Sequence, residues 1–596
     1  MAQRNTYRDD EELDERINLH DILRIGVYLK PYLARIVRIL CVIVMMSCIA
    51  VAVPYLTKIV VDEVIPHKDL RTLSLLVVAM GVLIVIYEFG LRYRTVEITR
   101  VGQLMLKDMR RDLFTHIQTL PFSYFDSRPH GKILIRVVNY VNTLSDTLSS
   151  GLINVISDVF TFLITMVVMF VVDWRLALFS LALFPLLIVW VLVLQHFQRR
   201  AYQALSNKQS NLNAYIHESI AGVKTTQAFA RETEQFRTFQ EQQNEVRSAW
   251  MRAVHVQTLM WPGIQTISVM TIALIYYVGV TGFGAVNVTT GVLIAFVGYA
   301  NNFWNPVISI GNFYNQLITC SAYLERIFET LDVEPAIRNA PGAIDLPQIE
   351  GRVDFDDVVF RYEPDGRNIL NAIDLHVDPG KTIALVGPTG AGKTTIINLL
   401  SRFYDVAEGS VAIDGHDVRD VTLESLRRQM GVMLQDTFIF SGTVRENIRY
   451  GRLDATDEEI MAAARAVHAH EFIMDLSDGY DTVVQERGST LSAGQRQLIA
   501  FARVLLADPR ILILDEATSN IDTRTEEALQ AGLNHLLKGR TSFIIAHRLS
   551  TIENADEICY IDHGRIVEQG SHAELLARKG AYWRLYESQY AMIKAE

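Results

Sequence analysis

Nucleotide chemistry is indicated by one glycine-rich segment, which reads Gly387-Pro388-Thr389-Gly390-Ala391-Gly392-Lys393-Thr394. It fits the pattern G-x-x-x-x-G-K-[ST], in which glycines let successive backbone N–H groups point at phosphate oxygens. Lys393 would contact the β- and γ-phosphates, and the Thr394 hydroxyl would be a magnesium ligand. Thr395, next along, is grouped with this loop, although we expect it to pack or hydrogen-bond locally. The segment predicts binding of ATP or GTP with Mg²⁺.

Two apolar runs have to position this loop. Residues Thr382 to Val386 predict a buried strand that delivers the loop to a helix starting near Lys393, where the helix dipole favours phosphate. Residues Ile511 to Leu514 predict a buried parallel strand that ends in Asp515 and Glu516, at the edge where ligands bind in such sheets. Asp515 would hold the magnesium shell, while Glu516 would polarise the attacking water. The alternative is a strand followed by an acidic helix cap.

A third segment, Leu491-Ser492-Ala493-Gly494-Gln495, is the most specific. It resembles the signature L-S-G-G-Q of the ATP-binding cassette transporters, with Ala493 in place of a glycine. With the loop and the two carboxylates, it makes nearly the whole chain similar to a half-size exporter of that family. In this family the signature covers the ATP held by a partner, so the resemblance implies that Ser492 and Gly494 act in trans and that one chain cannot complete its own site. Gln495 is grouped with the same nucleotide-binding residues.

The resemblance also implies roles for four residues elsewhere in the second half. Tyr362 matches the aromatic residue that stacks on adenine, although a half-buried strand tyrosine is the alternative. Gln435 matches the glutamine that senses magnesium and the attacking water. His547 matches the histidine that contacts the γ-phosphate and holds the catalytic carboxylate. Asp522 matches the loop that communicates between the two cassettes.

The length and composition of the chain limit the class of protein. Half of the 596 residues are hydrophobic, and the length requires at least two domains. The formal net charge of −11 and the pI of about 5.8 give no support for a nucleic-acid partner. The four cysteines lack metal-ligand spacing, and we interpret them as small buried hydrophobic residues.

The first half contains about six stretches able to span a bilayer, each of roughly 20 mostly apolar residues. Between them, two polar segments rich in Arg and Lys are expected in the cytosol. Their helical periodicity predicts that the membrane helices continue far into the cytosol, with Pro121 and the cluster Arg128-Pro129-His130-Gly131 marking the first reversal. The stretches are Ile39 to Thr57, Thr72 to Leu91, Gly151 to Val172, Leu176 to Gln195, and two within Ala253 to Leu324.

We therefore predict a six-helix transmembrane domain followed by an α/β P-loop NTPase domain, the ATP-binding cassette. The expected boundaries are a cytosolic tail with an interfacial helix over 1–34, the membrane domain over 35–325, a linker over 326–350 and the cassette over 351–596. An ordinary helix start is the alternative to the interfacial helix. We expect no cleavable signal peptide, because Met1 to Glu15 is rich in Arg, Asp and Glu and lacks a short apolar region. We expect a multi-pass protein of the plasma membrane, the inner membrane in bacteria, with cassette and termini in the cytosol.

Coupling segments follow from the same resemblance. Leu120 to Asp126 and Gly131 to Arg136 resemble the first intracellular loop of the family, and Ala214 to Thr225 resembles the second. Tyr140 stands where many relatives carry Asp. The segment Gln485-Glu486-Arg487-Gly488 resembles the exporter-specific loop that touches the partner's membrane domain.

The resemblance implies ATP-driven export of an amphipathic drug, lipid or peptide, with membrane lipids and a second half-transporter as partners. Glu88 is either a functional residue within the membrane or a residue at the membrane interface. The polar and aromatic residues around Trp304 suit a substrate cavity, although asparagines that join helices to one another explain them nearly as well. Import through the same fold and a channel-like or regulatory ATPase are the rival functions. The sequence is compatible with a homodimer and with a heterodimer.

Overall fold

The structure is a computed structural model, and it describes residues 19–126, 133, 136–146, 151, 153–282, 288–302, 304–363, 366–433, 437–515, 523–546 and 552–590. The chain forms two compact units. Unit one comprises Met1–Gln118 and Pro129–Val333, and unit two comprises Thr119–Arg128 and Glu334–Glu596.

Unit one is helical throughout its described residues. Its helices are long because their apolar residues recur over many turns, and α3 continues through an internal proline, Pro54. In chain order the helices up to residue 331 are α1 (Leu19–Arg24), α2 (Gly26–Leu29), α3 (Leu33–Ile59), α4 (Ile65–His67), α5 (Leu70–Thr119), α6 (Phe122–Asp126), α7 (Val141–Asp146), α8 (Ile153–Val172), α9 (Trp174–Leu181), α10 (Phe184–Ala221), α11 (Val223–Ala228), α12 (Glu232–Thr258), α13 (Met260–Thr281), α14 (Thr290–Ala300) and α15 (Trp304–Leu331). Of these, α6 belongs to unit two.

Five continuous helical stretches among the described residues are long and apolar enough to cross a membrane. Only 6% of the most apolar window of Leu70–Thr119 is buried within the chain, so most of this apolar surface has to be covered by something other than the chain itself. The shorter apolar helix α14 lies near the end of the unit and is followed by α15. The protein is an integral membrane protein of the helical class.

The helices extend well beyond a bilayer, as the periodicity of the polar segments predicts. Helix α5 has 50 residues and is therefore about 75 Å long, more than twice the ~30 Å thickness of the hydrocarbon core. It ends at Thr119, and Pro121 separates it from α6. The other residues expected to mark the reversal, Arg128 to Gly131, lie outside the described residues. At the expected second turn, Gly222 separates α10 from the short helix α11.

The N-terminal part of unit one is joined to its C-terminal end. Two short helices, α1 and α2, precede α3, and the Arg24 guanidinium donates two hydrogen bonds of 2.7 Å to the carboxylate of Asp332. The same guanidinium lies 4.0 Å from the ring centroid of Phe328. Hydrogen bonding to Arg24 lowers the pKa of Asp332. The start of the described chain is thereby fixed to the end of α15.

Two sequence-based expectations about side chains need correction or explanation. Cys320 and Cys559 are buried as expected, but Cys41 and Cys48 are exposed, because both lie on the face of α3 that the rest of the chain does not cover.

Tyr140 stacks on Tyr323 of α15, with ring centroids 4.6 Å apart. The aromatic contact accounts for a tyrosine at a position where an acidic residue was expected.

Unit two has the layered α/β architecture predicted for the second half. A six-stranded sheet has the order β12-β11-β3-β10-β9-β6, a four-stranded sheet has the order β2-β1-β4-β5, and β7 pairs with β8. The strands are β1 (Val353–Phe360), β2 (Leu370–Val377), β3 (Thr382–Val386), β4 (Glu408–Ile413), β5 (His416–Asp417), β6 (Met430–Met433), β7 (Gly442–Thr443), β8 (Val483–Val484), β9 (Ile511–Asp515), β10 (Thr541–Ile545), β11 (Glu557–Asp562) and β12 (Arg565–Gly570).

Helices cover both sheets and close two hydrophobic cores, one on each side of the six-stranded sheet. The central strands β9 and β10 of that sheet are buried on both faces along nearly their whole length. The remaining helices are α16 (Lys393–Leu400), α17 (Leu423–Arg428), α18 (Val444–Arg449), α19 (Asp457–Ala466), α20 (His470–Met474), α21 (Ala493–Ala507), α22 (Thr523–Leu537), α23 (His572–Arg578) and α24 (Ala581–Tyr590).

Parallel pairing brings four strand ends to one edge of this sheet. Strand β10 pairs in parallel with β3 and with β9, and β9 pairs in parallel with β6. In this register Leu385 lies beside Ile545, Ile545 beside Asp515, and Leu514 beside Met433. The carboxyl ends of β3, β10, β9 and β6 therefore form one continuous edge, which is where ligands bind in open parallel sheets.

Candidate nucleotide-binding site

The glycine-rich loop leaves β3 at this edge and enters α16 with three glycines at positive φ. Gly387 has φ +143°, Gly390 has φ +81° and Gly392 has φ +111°. A Cβ atom on Gly387 would lie 2.1 Å from the carbonyl oxygen of Ile561, and one on Gly392 would lie 2.6 Å from the side chain of Leu370. These two glycines are therefore required for the path of the loop as well as for its backbone conformation.

Gly390 differs, since a Cβ atom there would meet nothing within 4 Å. Pro388, Thr389 and Gly390 are exposed, whereas Ala391 is buried beneath them. The N-cap of α16 is Gly392, and no side chain caps the helix. The backbone N–H groups of the first turn are therefore available to an anion, as the loop pattern requires.

Lys393 is folded back onto its own loop. Its Nζ atom donates hydrogen bonds to the carbonyl oxygens of Gly387 at 2.7 Å and Pro388 at 2.9 Å. Burial lowers the pKa of Lys393, while the charge of Asp515 partly opposes this effect by favouring the ammonium form. The lysine is thus held at the mouth of the loop by two neutral acceptors, which phosphate oxygens can replace because they carry a negative charge that also attracts the ammonium group.

The loop residues fit ATP, and the neighbouring donors fit Mg²⁺. Thr394 is exposed in the first turn of α16, and the half-buried Asp515 ends β9 close enough to Lys393 for their charges to interact. One hydroxyl and one carboxylate are a donor set that Mg²⁺ uses together with substrate phosphates. Among the described residues, no group of three or more His, Cys, Asp or Glu side chains could hold a metal ion on its own.

Thr395 hydrogen-bonds locally, as expected. Its Oγ1 atom lies 3.1 Å from the hydroxyl oxygen of Tyr362. Tyr362 follows β1, its side chain is 46% exposed, and its ring meets the rings of Phe360 and Tyr404 edge to face at 4.9 and 5.1 Å. The Tyr362 ring is therefore held by two aromatic contacts beside the nucleotide loop while nearly half of the residue stays exposed, which is compatible with stacking on a base.

Four residues assigned from the sequence lie outside the described residues: Gln435, Glu516, Asp522 and His547. The strands that precede three of them are well defined. Strand β6 ends two residues before Gln435, β9 ends one residue before Glu516, and β10 ends two residues before His547. All three strands end at the edge from which the glycine-rich loop departs.

The signature segment forms the start of α21 and is closed by a capping box. The Ser492 hydroxyl oxygen accepts a hydrogen bond from the backbone N–H of Gln495 at 3.2 Å, and the Gln495 side-chain oxygen accepts one from the backbone N–H of Ser492 at 2.9 Å. The hydroxyl still has its own proton to donate. Ser492 and Ala493 are exposed, while Gly494 is buried in the first turn.

The exporter-specific loop and the signature are tied together by Arg496. Its guanidinium donates hydrogen bonds to the carbonyl oxygens of Gly488 at 3.3 Å and Leu491 at 2.7 Å. Gly488 has φ +64°, and its neighbour Arg487 has φ +57°. A backbone hydrogen bond of 2.9 Å from the N–H of Leu491 to the carbonyl oxygen of Gly488 joins the same two segments, so a movement of one is transmitted to the other.

The sequence reasoning missed an aromatic contact between α6 and the region after α16. The rings of Phe122 and Phe403 stack at 5.2 Å, and the Tyr404 hydroxyl donates a 2.8 Å hydrogen bond to the carboxylate of Asp126. Burial, followed by this hydrogen bond, raises the pKa of Tyr404. Two adjacent aromatic residues directly after the nucleotide-binding helix were the available signal, since an aromatic pair at a surface turn is typical of a contact site.

Comparisons with known proteins cover both units. The family model of the ABC transporter transmembrane region matches residues 36–307, and the model described as ABC transporter matches residues 370–519. The uncharacterized ABC transporter ATP-binding protein YknV of Bacillus subtilis is 41% identical over 593 residues, which is 99% of this chain and 98% of the relative. The ATP-dependent lipid A-core flippase of Syntrophus aciditrophicus is 35% identical over 564 residues, or 94% and 93% of the two chains.

A solved structure has the same fold. It is described as a bacterial Atm1-family ABC exporter with ATP bound, and it superposes with a TM-score of 0.76 at 28% identity. The superposition covers 94% of this chain and 98% of the other. The likeness therefore extends across the membrane helices and the nucleotide-binding unit of a complete exporter chain.

Proposed function

Since this chain belongs to the ATP-binding cassette transporters, binds ATP and has the fold of a half-size exporter, we propose that two such halves export amphipathic compounds by alternating access. Hydrolysis of ATP is coupled to transport, and the half-size organisation implies a dimer with a second half-transporter. The observation that carries the proposal is the fusion, within one chain, of bilayer-length apolar helices to a nucleotide cradle. The lipid A-core flippase among the relatives supports a lipid-like or drug-like substrate.

The proposed catalytic residues come at or just after the ends of the strands at this sheet edge. Lys393 would exchange its two carbonyl partners for phosphate oxygens, and Thr394 and Asp515 would hold Mg²⁺ with Gln435. Mg²⁺, when bound, neutralises charge on the phosphate oxygens. Glu516 would polarise the attacking water and His547 would orient it against the γ-phosphate.

The second half of each site would come from the partner. Ser492, with its proton free to donate, and the backbone N–H groups of Ala493 and Gly494 form a second anion clamp at the start of α21. Such a clamp has affinity for the γ-phosphate and little for a diphosphate, which would make closure dependent on ATP. The Gln495 side chain forms the capping box with Ser492. Asp522 would transmit the closure of one nucleotide site to the other.

The proposal includes the orientation of the protein in the membrane and the identity of the two halves of the dimer. The basic residues of the polar segments favour cytosolic nucleotide-binding units and termini in the plasma membrane. The chain keeps Glu516, His547 and most of the signature, which favours a site able to hydrolyse ATP. Purification of the tagged chain from cells that lack any added partner, followed by native mass spectrometry, distinguishes two identical halves from a heterodimer.

The test of catalysis is Glu516→Gln. We expect steady-state ATP hydrolysis to fall by at least about 100-fold, because a general base contributes on the order of 10²- to 10⁴-fold, while ATP binding is retained. The matched control is Glu527→Gln, a change of the same type in helix α22. Unchanged hydrolysis in the Glu516 variant would refute the assignment.

The test of direction uses inside-out membrane vesicles. Export predicts that an amphipathic fluorescent dye accumulates in these vesicles only when ATP is present, and that the Glu516→Gln variant abolishes the accumulation. ATP-dependent loss of preloaded dye would indicate import. Hydrolysis without any dye movement in either direction would contradict transport of this class of compound.

A further inference from the structure

The chain leaves unit one for unit two at two places, after Gln118 and after Val333. Gln118 lies in the last turn of α5, and Val333 follows the end of α15 by two residues. A movement that passes from one unit to the other along the chain at these places therefore goes through the ends of two helices. Whether the two ends move separately or together depends on how they are joined within unit one.

The two ends meet directly at one point. The Nε2 atom of His116, in the last turn of α5, lies 3.0 Å from the carbonyl oxygen of Val333. A carbonyl group beyond the C-terminus of a helix has no partner within that helix, so the histidine supplies one from another helix. A single contact of this kind still allows the two helix ends to pivot about it.

The segment that precedes α3 joins the same two helices a second time. It contains a turn of 3₁₀ helix, Lys30–Tyr32, directly after α2. The Tyr32 hydroxyl donates a 2.6 Å hydrogen bond to the carboxylate of Asp108 in the C-terminal part of α5. Earlier in the segment, Arg24 bonds to Asp332 at the end of α15. We call the residues from Arg24 to Tyr32 the N-terminal brace.

Arg24 is held at the end of α15 by two kinds of contact. Its guanidinium bonds both carboxylate oxygens of Asp332 and lies over the ring of Phe328, which is 3% exposed. A planar guanidinium suits both partners, because it pairs with a carboxylate through two N–H groups and stacks on an aromatic ring. The adjacent Ile25 is buried, so the backbone that carries the arginine is anchored as well. This geometry restrains sliding and rotation more than an isolated ion pair does.

We propose that Arg24 is a positioning residue, through which the N-terminal brace holds the ends of α5 and α15 together so that they move as one body. Neither ATP nor substrate is needed for this restraint. Movement that reaches one helix end would then be shared with the other, and this consequence for transport rests on the proposed function. Without the brace, ATP would still be hydrolysed, but less of each cycle would reach the membrane helices.

The brace is tested by hydrogen–deuterium exchange of the full chain in lipid nanodiscs without nucleotide. Arg24→Gln removes the charge and the paired N–H groups. We expect amide exchange in residues 328–333 to become about fivefold faster, since an ion pair with two-point geometry lies at the upper end of the range for partly exposed pairs. Exchange in α13 should stay unchanged. Wild-type exchange at residues 328–333 in this variant would overturn the proposal.

Arg237→Gln is the matched control. Arg237 donates a 2.7 Å hydrogen bond to Glu234, which lies one turn away in the same helix, α12. The variant therefore loses an arginine and an ion pair of the same length, but this pair joins no two helices. Residues 328–333 should exchange as in the wild type. Equally faster exchange there in both variants would assign the effect to the loss of positive charge and refute the brace.

Reversal of the pair separates a specific contact from a general loss of structure. Arg24→Asp alone brings two carboxylates together and should speed exchange more than Arg24→Gln does. Arg24→Asp combined with Asp332→Arg restores opposite charges, so it should recover part of the protection. If the double variant keeps the wild-type unfolding temperature and recovers no protection, the ion pair is not what holds the helix end.

Coupling is measured in inside-out vesicles as dye accumulated per ATP hydrolysed. We expect Arg24→Gln to lower this ratio about threefold, with the rate of hydrolysis within about twofold of wild type, and Arg237→Gln to change neither. Faster exchange with an unchanged ratio would refute the positioning role. If the wild-type chain hydrolyses ATP and moves no dye, the proposed export fails, and the exchange measurements still decide whether the brace joins the two helix ends.

Discussion

The hydroxyl of Tyr404 donates a 2.8 Å hydrogen bond to the carboxylate of Asp126, and the ring of the same tyrosine meets Tyr362 edge to face at 5.1 Å. Tyr362 in turn lies within hydrogen-bonding distance of Thr395 in the nucleotide-binding helix. Four side chains therefore connect the start of α16 to the short helix α6, which follows the long helix α5 after two residues. Because the pKa of Tyr404 is raised, the phenol remains a donor at any physiological pH.

Tyr404→Phe removes the hydrogen bond to Asp126 and keeps the ring. We expect basal ATP hydrolysis to stay within about twofold, while dye transported per ATP falls about fivefold, which corresponds to about 1 kcal/mol for a partly exposed charge-assisted hydrogen bond. The measurement is parallel assay of hydrolysis and dye uptake in vesicles.

The control for this prediction is Tyr450→Phe, since Tyr450 is exposed and the contacts described for it are made by its ring. Asp126→Asn added to Tyr404→Phe should cause little further loss, because the pair acts as one unit. Additive losses would show that the two side chains act independently.

Ser492 separates a structural effect from a functional one. Ser492→Ala removes the cap and should destabilise the start of α21 by about 1 kcal/mol. Ser492→Asp keeps an acceptor for the Gln495 N–H and should preserve the thermal unfolding temperature, yet it should abolish ATP hydrolysis because a carboxylate repels the γ-phosphate. Hydrolysis at the wild-type rate in a folded Ser492→Asp protein would refute the clamp.

Substitutions of Gly387 and Gly390 should cause different defects, one in the stability of unit two and the other in nucleotide binding. Gly387→Ala combines a positive φ with a 2.1 Å approach to the Ile561 carbonyl, so it should destabilise unit two by about 3 kcal/mol or more. Gly390→Ala has only the backbone strain, about 1 kcal/mol, but places a methyl group on the open side of the loop. Thermal unfolding and binding of a fluorescent ATP analogue measure the two effects.

The informative result is how the two variants rank in stability and in nucleotide affinity. We expect Gly387→Ala to be the less stable variant and Gly390→Ala to be folded with weakened nucleotide binding. A Gly390→Ala protein with full affinity would mean that phosphate does not approach that side of the loop.

Cys559 should resist chemical modification in the native protein. It is fully buried in β11, beside Leu385 of β3, and burial raises the pKa of its thiol to about 12. At pH 7.5 the thiolate is therefore scarce as well as inaccessible. Mass spectrometry after maleimide treatment should find the Cys559 peptide unlabelled in the native protein and labelled in guanidinium chloride, and rapid native labelling would contradict the packing of β11.

The cassette could be predicted in detail because its determinants are local. Strand β3 occupies Thr382–Val386, helix α16 starts at Lys393 and β9 ends at Asp515, all where the sequence pattern indicated. Apolar runs flanked by glycines or carboxylates leave few alternatives for these segments. The fold class and the family follow from the same segments, because the loop, the acidic strand end and the signature occur in a fixed order.

Other features could not be predicted, because they depend on contacts between distant segments. The partners Tyr404 and Asp126 are 278 residues apart, and no local pattern links them. The exposure of Cys41 depends on which face of α3 the other helices cover. The assignments of Gln435, Glu516, Asp522 and His547 stay predictions, since they lie outside the described residues.

Helix α5 is a single rigid element of 50 residues, and at about 75 Å it acts as a lever. A tilt of about 5° about one end would displace the opposite end by about 7 Å, given the ~1.5 Å rise per residue. Small angular adjustments where this helix meets α6 are thereby magnified at its far end without any change in secondary structure. The length of the helix therefore sets how far its first residue, Leu70, moves for a given change of angle at Thr119.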